Sequence, residues 1–468
     1  MASLMADPLD DLFRPRSVAL IGASASPTKL SHISLKNLSK GRFRLYPVNP
    51  NEGEILGLRC YPSVLAIPGN VDLAVISLPA AASVAPVRQC VEKGVGVVII
   101  SASGFRESGP DGEMLERELM AAIRGSSTRL LGPNTMGVYV PSSGLDTLFI
   151  PREKSVRPGK GAIAVLSQSG AVSVSFLEKA AEAGIGISAC IGLGNKIDLN
   201  ENELLQHLSS DKATKSIALY LESFSDGRRF VDVVRKVSKV KPVVVLKSGR
   251  TKAGSDAARS HTGALASSSD VMVDGVMSQV GVVRAYDEEE LIDLAKALAY
   301  VDHIDGDRIC VVASAGGFGV IGADFVESRE HGVGLTMARL SEKTRDSIRK
   351  MVPSYSSVSN PVDLTAGVTD GMYDAVLKCL QADPGVDGIM MSLELQPPNI
   401  TRRLVDVAER RSRSGGAPIV ISAFGGANTQ SLLREFEKRR VPAYPTIWRA
   451  IRALAALHKR GLYLKRSK

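Results

Sequence analysis

The sequence predicts a parallel α/β protein with doubly wound sheets. Short apolar runs rich in β-branched residues alternate with helical patterns along all 468 residues, which is the rhythm of parallel α/β proteins. Each run is apolar almost without interruption, as expected for strands that helices cover on both faces. The length exceeds what one hydrophobic core usually holds, so about three domains are expected. Since doubly wound sheets bind ligands at the carboxyl ends of their strands, we expect a site in the loops that follow the strands.

Nine apolar runs are predicted to form strands. They are SVALIG (17–22), VDLAVIS (71–77), VGVVIIS (95–101), AIAVLS (162–167), SIALYL (216–221), PVVVLK (242–247), RICVVAS (308–314), GIMMSL (388–393) and PIVISA (418–423). Apolar periodicity fades at 141–161 and 302–307, where polar, proline and glycine residues gather, and these stretches indicate domain boundaries. The predicted domains span 1–145, 158–301 and 306–468.

Composition excludes several classes of protein. Hydrophobic residues make up 44% and charged residues 23%, which argues against disordered, collagen-like and coiled-coil chains. The five cysteines form no C-x-x-C pair, so neither disulfides nor a cysteine-based zinc site is expected, and we predict no metal ligands in this chain. No apolar run reaches the roughly 18 residues of a membrane span, and the acidic N-terminus does not resemble a signal peptide. A cytoplasmic protein without a membrane partner is therefore expected.

A net charge of +9 raises the question of an anionic partner. Aromatic residues make up only 5%, and the only dense basic segment is the C-terminal stretch 459–468, which is typical of a solvated chain end. A nucleic-acid partner is therefore not expected. The positive charge favours an anionic small molecule instead.

The loop after the first predicted strand is a weak anion site. It contains Gly22 but lacks the other glycines of the G-x-G-x-x-G pattern that dinucleotide-binding proteins show. Backbone N–H groups and the hydroxyls of Ser24 and Ser26 can still face an anion. A dehydrogenase therefore remains an alternative that the loop does not favour.

Two later loops place small residues at the start of a helix. They are Ser167-Gln168-Ser169-Gly170 and Ser314-Ala315-Gly316-Gly317, and their similar settings indicate a weak internal repeat. A helix N-terminus carries about half a positive charge, so two such ends aimed at one phosphoryl group offset much of its charge. The alternative is an ordinary strand-to-helix turn in which glycine permits tight packing.

The segment 247–269 is predicted to be a long, mobile loop carrying one imidazole, His261. The other five histidines (32, 207, 303, 331 and 458) have no partner pattern and are expected to be structural or solvated. A nucleophilic imidazole needs an acceptor on its second nitrogen, which fixes the tautomer. Glu222, just after a predicted strand, is placed by topology for this role. A solvated carboxylate is the alternative.

These motifs resemble those of the α subunits of the NDP-forming acyl-CoA synthetases, in particular the ADP-forming acetyl-CoA synthetases. More distantly, the chain resembles the succinyl-CoA synthetase α subunit. SHTGALA (260–266) is the most specific motif, and the resemblance implies that His261 is phosphorylated. YLES (220–223) resembles the segment whose carboxylate bonds that histidine, which implies this role for Glu222. The implied fold is a Rossmann-like CoA-binding domain followed by two flavodoxin-like CoA-ligase domains.

The resemblance also implies the binding residues. Its motifs in the first domain are GASASPTKL (22–30), YPVNP (46–50), SLPAA (77–81), SASGF (101–105) and LGPNTMG (131–137), and NPVDLTAG (360–367) is its motif in the third. It implies that Ser24, Ala25, Ser26, Pro27 and Lys29 line the CoA phosphates, Leu78, Pro79 and Ala80 the nucleoside, Ser101, Ala102 and Ser103 the thiol arm, and Asn134 the thioester. The loops at 167–170 and 314–317 are then the two phosphate cradles.

Two departures from the family pattern affect these expectations. Asn51-Glu52 stands where succinyl-CoA synthetases carry a CoA-contacting lysine, so Lys29 or Arg106 is expected to replace that contact. Val174 replaces a tyrosine of the same family, which argues for a carboxylic acid other than succinate.

The implied activity is the reversible conversion of acyl-CoA, ADP and phosphate to acid, ATP and CoA through an acyl phosphate and a phosphohistidine. Since no ATP-grasp domain follows, ADP or ATP and Mg²⁺ are expected on a separate ATP-grasp β subunit, in an α2β2 assembly. The alternatives are a related ligase for another small carboxylic acid and a non-catalytic CoA-binding regulatory or scaffold protein.

Overall fold

The computed structural model describes residues 9–262 and 269–467, with side chains except at 258–262 and 331. These residues form two compact units. Of the described residues, the first unit comprises 9–181, 186–241, 245–262 and 269–277, and the second comprises 182–185, 242–244 and 278–467. Within the described ranges, no helix combines the length and apolar character that crossing a bilayer requires.

The first sheet contains most of the predicted CoA-binding region. The strands of this part of the chain are β1 (Ser17–Ile21), β2 (Arg44–Val48), β3 (Glu54–Ile55), β4 (Leu58–Arg59), β5 (Leu73–Ile76), β6 (Val97–Ile100) and β7 (Arg129–Leu131). Its helices are α1 (Asp10–Phe13), α2 (Leu30–Leu38), α3 (Ala80–Lys93) and α4 (Pro110–Ile123), and 3₁₀ turns lie at Val64–Ala66 and Arg106–Ser108. The order is β2-β1-β5-β6-β7, and Tyr61 adds one parallel bridge outside β2, at Val48. Counting Tyr61 as a strand position, this is the Rossmann order 3-2-1-4-5-6.

The second sheet follows the first along the chain. The next elements are β8 (Val138–Val140), β9 (Leu145–Asp146), β10 (Lys160–Ser167), β11 (Ile187–Gly192), β12 (Ser216–Leu221), β13 (Val243–Lys247) and β14 (Val282–Ala285), with helices α5 (Gly170–Ala183), α6 (Glu201–Ser210), α7 (Gly227–Val240), α8 (Lys252–Thr262), α9 (Asp270–Gln279) and α10 (Glu288–Tyr300). β10 pairs in parallel with β11 and β12, and β13 follows β12. The order β13-β12-β10-β11 is that of flavodoxin-like sheets.

The third sheet lies in the second unit. Its strands are β15 (Arg308–Ala313), β16 (Thr336–Met337), β17 (Val362–Asp363), β18 (Gly388–Leu393), β19 (Ile419–Ala423) and β20 (Ala443–Tyr444), and its helices are α11 (Gly316–Val326), α12 (Glu342–Arg349), α13 (Asp370–Gln381), α14 (Arg403–Arg413), α15 (Ala427–Lys438) and α16 (Ile447–Arg466), with a 3₁₀ turn at Glu330–Gly332. The order β16-β15-β18-β19-β20 is parallel throughout and again flavodoxin-like.

The predicted fold class is confirmed, and each of the nine predicted runs contains a strand. Most of the strands outside the nine predicted runs are short or irregular, such as β2, which contains Pro47. The exception is β11, which has six residues. The prediction of a loop across 247–269 is wrong for its middle part, which is the helix α8. Its residues Ala253, Ala257 and Ala258 favour helix, and hydrophobic periodicity alone did not reveal this because the segment is polar. The three domain boundaries remain a prediction.

Four of the five cysteines are buried, and Cys379 is half-buried. Burial raises the pKa of Cys90 and of Cys190 to about 12. Burial also raises the pKa of Cys310, which lies on β15. The thiols thus pack as small hydrophobic groups, as the apolar sequence around Cys190 and Cys310 predicts.

Candidate active site

The residues expected to contact CoA follow four neighbouring strands of the first sheet. Ser24 to Lys29 follow β1, Leu78 to Ala80 follow β5, Ser101 to Ser103 follow β6, and Asn134 follows β7. Backbone bonds tie these loops together: Ser77 N donates to Ile21 O at 2.9 Å, Ser101 N to Ile76 O at 3.1 Å, and Asn134 N to Ala102 O at 2.8 Å. The fold therefore places all twelve residues predicted to contact CoA at the carboxyl ends of these strands.

The loop after β1 is shaped by Gly22. Its φ of +86° is left-handed, and a Cβ here would lie 2.6 Å from Ser77 O, so no other residue fits. Beyond it, Ser26 N donates to Ser24 Oγ at 3.2 Å, which forms a tight turn. Residues 25–29 are exposed at the surface. The turn therefore presents backbone and side-chain donors to solvent, as an anion site requires.

Asn134 is held by a residue that the sequence did not single out. Its backbone has a φ of +57°, and its Nδ2 donates to Asn195 Oδ1 at 3.4 Å. The buried Asn195 in turn donates from Nδ2 to Glu107 and to Glu116, both at 2.7 Å. Burial favours the neutral acid at Glu107, but the bonds from Asn195 and from backbone N–H groups prevail and lower its pKa. Asn195 thus joins the two glutamates to the predicted thioester position.

The loop at 167–170 follows β10, and α5 begins at Gly170 as expected. The polar groups of Gln168 form hydrogen bonds within the protein. Its N–H donates to Tyr220 O at 3.0 Å, and its Oε1 accepts from the N–H groups of Glu222 and Ser223 at 3.0 and 3.1 Å. Its Nε2 donates to Ser223 Oγ at 3.2 Å. The side chain of Gln168 therefore holds the turn that carries Glu222.

Glu222 is buried, with 8% of its surface exposed. Its backbone carbonyl accepts a hydrogen bond of 2.8 Å from Lys247 Nζ, which also donates to Ser248 O at 2.6 Å. The alternative of a solvated carboxylate is therefore wrong. His261 lies on α8, but its side chain is outside the described residues, as are residues 263–266 of the SHTGALA motif. The predicted bond between His261 and Glu222 remains a prediction.

The second predicted cradle, Ser314 to Gly317, lies in the second unit between β15 and α11. Two acids accompany it. Glu394 N donates to Ser314 Oγ at 3.2 Å, and a Cβ on Gly316 would lie 3.1 Å from Asp363 Oδ2. Burial, together with the negative charge of Asp363, raises the pKa of Glu394. The ionised form of Glu394 thus opposes both folding and the binding of an anion at this loop.

Replacing Glu394 with glutamine is expected to raise the midpoint of thermal unfolding near neutral pH. A carboxyl with a raised pKa stabilises the fold only while it is protonated, so wild-type stability falls as pH rises above the ordinary value of 4.5. The advantage of E394Q is therefore expected to appear as pH increases, measured by calorimetry at a series of pH values. Glu435 is the matched control, because its bond from Lys438 lowers its pKa and E435Q should bring no gain. An equal gain in both variants would contradict the prediction.

Comparison with known proteins identifies the family. The CoA binding domain matches residues 16–141, the succinyl-CoA ligase like flavodoxin domain matches residues 160–298, and the Ligase-CoA domain matches residues 309–460. The chain is 37% identical over 460 residues to the α subunit of the ADP-forming acetate–CoA ligase I of Pyrococcus furiosus, covering 96% of this chain and 97% of that subunit. The chain belongs to the ADP-forming acetate–CoA ligase family. Members of this family are acid–thiol ligases.

Two further members of the ADP-forming acetate–CoA ligase family span nearly the whole chain. The ligase I of Archaeoglobus fulgidus is 36% identical and covers 98% of this chain, which spans 64% of that longer protein. A structure of acetyl-coenzyme A synthetase 1 of Ca. Korarchaeum cryptofilum, in complex with phosphate and ADP, is 33% identical with a TM-score of 0.88 and covers 98% of both chains. The resemblance found in the sequence is thereby confirmed, together with its Rossmann-like and flavodoxin-like fold.

Proposed function

We propose that this chain is the catalytic α subunit of an ADP-forming acyl-CoA synthetase that prefers acetyl-CoA. The observation that carries the proposal is the continuity of the site in the first unit. The predicted CoA contacts share one sheet edge, and Asn134 at its end bonds Asn195, which is followed by Lys196. Lys196 Nζ donates to Ser223 O at 2.7 Å, next to Glu222. The predicted thioester position and the predicted carboxylate therefore belong to one bonded network.

The proposed reaction starts with phosphate bound at the N-terminus of α5. A phosphate oxygen attacks the thioester carbonyl, CoA leaves as the thiolate, and acyl phosphate forms. An imidazole nitrogen of His261 then attacks the phosphorus, and the carboxylate leaves as the acid product. Glu222 accepts a bond from the other imidazole nitrogen and stabilises the positive charge that develops. The N-terminus of α5 stabilises the phosphoryl oxygens, and charge stabilisation of this kind is the main requirement of phosphoryl transfer.

The last step is proposed to need a second chain. An oxygen of the ADP β-phosphate takes the phosphoryl group from His261, which gives ATP. The nucleotide is assigned to an ATP-grasp β subunit in an α2β2 assembly, where Mg²⁺ would neutralise nucleotide charge. The similarity to a Pyrococcus furiosus protein that is itself named as one subunit of its ligase supports the involvement of a second chain.

Peptide mass spectrometry at alkaline pH tests the proposal. The protein is incubated with acetyl-CoA, phosphate and Mg²⁺, both alone and as the complex that purifies with it, and is digested with trypsin. Peptide 260–284 contains His261 as its one histidine and is expected to gain one acid-labile phosphoryl group. CoA in place of acetyl-CoA is the control and should give no modification, because no thioester drives the reaction. An unmodified peptide from both preparations would contradict the proposed function.

A further inference from the structure

The segment 194–196, which links β11 to α6, has two special features. Lys196 has a φ of +57°, which is unusual for a residue with a side chain, and its side chain is buried with 4% exposed. Strained backbone of this kind is unfavourable and persists where the surrounding structure holds it. A buried lysine is also costly unless its charge is paired. Lys196 therefore occupies a position that the fold maintains at a cost.

Lys196 is bonded to the turn that carries Glu222. Its Nζ donates to Ser223 O at 2.7 Å and pairs with Glu201 Oε2 at 3.0 Å. Glu201 is fully buried, and it accepts from Ser225 N at 2.7 Å and from Ser225 Oγ at 3.2 Å. The ion pair between Lys196 and Glu201 therefore bonds to Ser223 and Ser225, which follow Glu222 in the same turn.

Asn195, the residue before Lys196, bonds to the predicted CoA-binding domain. Asn195 contacts Asn134, Glu107 and Glu116, all of which belong to the predicted CoA-binding domain. Its backbone N–H also donates to Pro133 O at 2.9 Å. Adjacent residues thus hold the two parts of the site, the thioester position and the Glu222 turn.

The charges around Lys196 agree with such a role. Burial lowers the pKa of Lys196, whereas the carboxylates of Glu201 and Glu222 oppose this decrease. The positive charge of Arg106 adds to the decrease. The ammonium group is therefore close enough to both Glu222 and the CoA-binding domain to interact electrostatically with each.

We propose that Lys196 is a positioning residue for phosphoryl transfer to His261, because it fixes the Glu222 turn relative to the thioester position. This inference rests on the proposed function. Lys196 acts through Glu222 in the second chemical step, so it is not required for the attack of phosphate on the thioester. Misplacement of a catalytic group by about 1 Å costs on the order of 10²-fold in rate.

The test measures the two steps separately in K196M, a variant of similar length without the charge. Acyl phosphate formation is followed as phosphate-dependent release of the CoA thiol, and phosphorylation of His261 is followed by quenched-flow mass spectrometry. We expect histidine phosphorylation to slow by about 10²-fold, while acyl phosphate formation and the KM for acetyl-CoA change by less than about threefold. Wild-type rates of phosphorylation, or an equal loss in both steps, would overturn the inference.

Two further variants separate positioning from folding. K296M is the matched control, since Lys296 is equally buried, pairs with Glu437 and donates to a backbone carbonyl in the second unit. It should change neither step selectively. If K196M does not fold, K196M/E201Q removes both buried charges and is judged by the same two rates. If the wild-type protein does not phosphorylate His261, the proposed function itself is refuted. The role of Lys196 is tested only by comparing K196M with a wild-type protein that does phosphorylate His261.

Discussion

Replacing His261 with alanine is expected to lower net ATP formation by at least about 10⁴-fold, since loss of a covalent nucleophile leaves only the effects of binding and positioning. CoA binding should stay nearly unchanged, because the predicted CoA contacts follow strands of the first sheet and none lies on α8. Acyl phosphate formation should also persist, since His261 enters only after the thioester has been cleaved. Coupled ATP assays, CoA titration calorimetry and phosphate-dependent release of the CoA thiol measure these three quantities.

The control for this variant is H303A, because His303 is partly exposed and pairs with Asp302 at 2.9 Å outside the predicted site. Its turnover is expected to remain within about twofold of wild type, as for most surface substitutions. ATP formation by H261A within tenfold of wild type would refute the phosphohistidine route. Joint loss of CoA binding and turnover would instead mean that His261 is structural.

Replacing Lys296 with methionine is expected to reduce the free energy of unfolding by about 3–5 kcal/mol, the usual cost of breaking a buried ion pair from one side. Lys296 Nζ lies 2.8 Å from Glu437, donates to Ala443 O at 2.7 Å, and lies 3.8 Å from the centre of the Tyr444 ring. Burial raises the pKa of Glu437, and the positive charge of Lys296 opposes this. Urea unfolding followed by circular dichroism measures the loss.

The deficit of K296M should depend on pH. Without Lys296 the pKa of Glu437 rises further, and a raised carboxyl pKa means that stability is lost as pH increases. The loss is therefore expected to be larger at pH 8 than at pH 5.5. The double variant K296M/E437Q should recover much of it, because no uncompensated charge stays buried. A deficit below about 1 kcal/mol that is independent of pH would contradict the assignment.

Local patterns in the sequence predicted the strands, the loops at their carboxyl ends and the position of Glu222 after β12. These features depend on hydrophobic runs and on topology, which are visible in short windows. The roles of Asn195 and Lys196 were not predictable in this way. Except for Glu201, their bonded side chains and turn lie 27 to 88 residues away in the chain, and the left-handed φ of Lys196 leaves no composition signal. The role of Gln168 in binding phosphate remains a prediction. Its side-chain bonds to the Glu222 turn were not predictable, since only folding brings β10 and β12 side by side. The helix α8 was missed because a polar, alanine-containing segment lacks the apolar stripe that marks most helices.

The burial of the cysteines bears on how this enzyme can be assayed. Thiol reagents react with the thiolate, and a pKa of about 12 keeps Cys90 and Cys190 almost entirely protonated at pH 8. The free thiol of released coenzyme A is solvated and ionises several pH units lower. A chromogenic disulfide added to the reaction is therefore expected to react with the thiol of released coenzyme A much faster than with Cys90 or Cys190. Turnover from acyl-CoA can thus be followed continuously in the native enzyme, with a blank lacking acyl-CoA to correct for the half-buried Cys379.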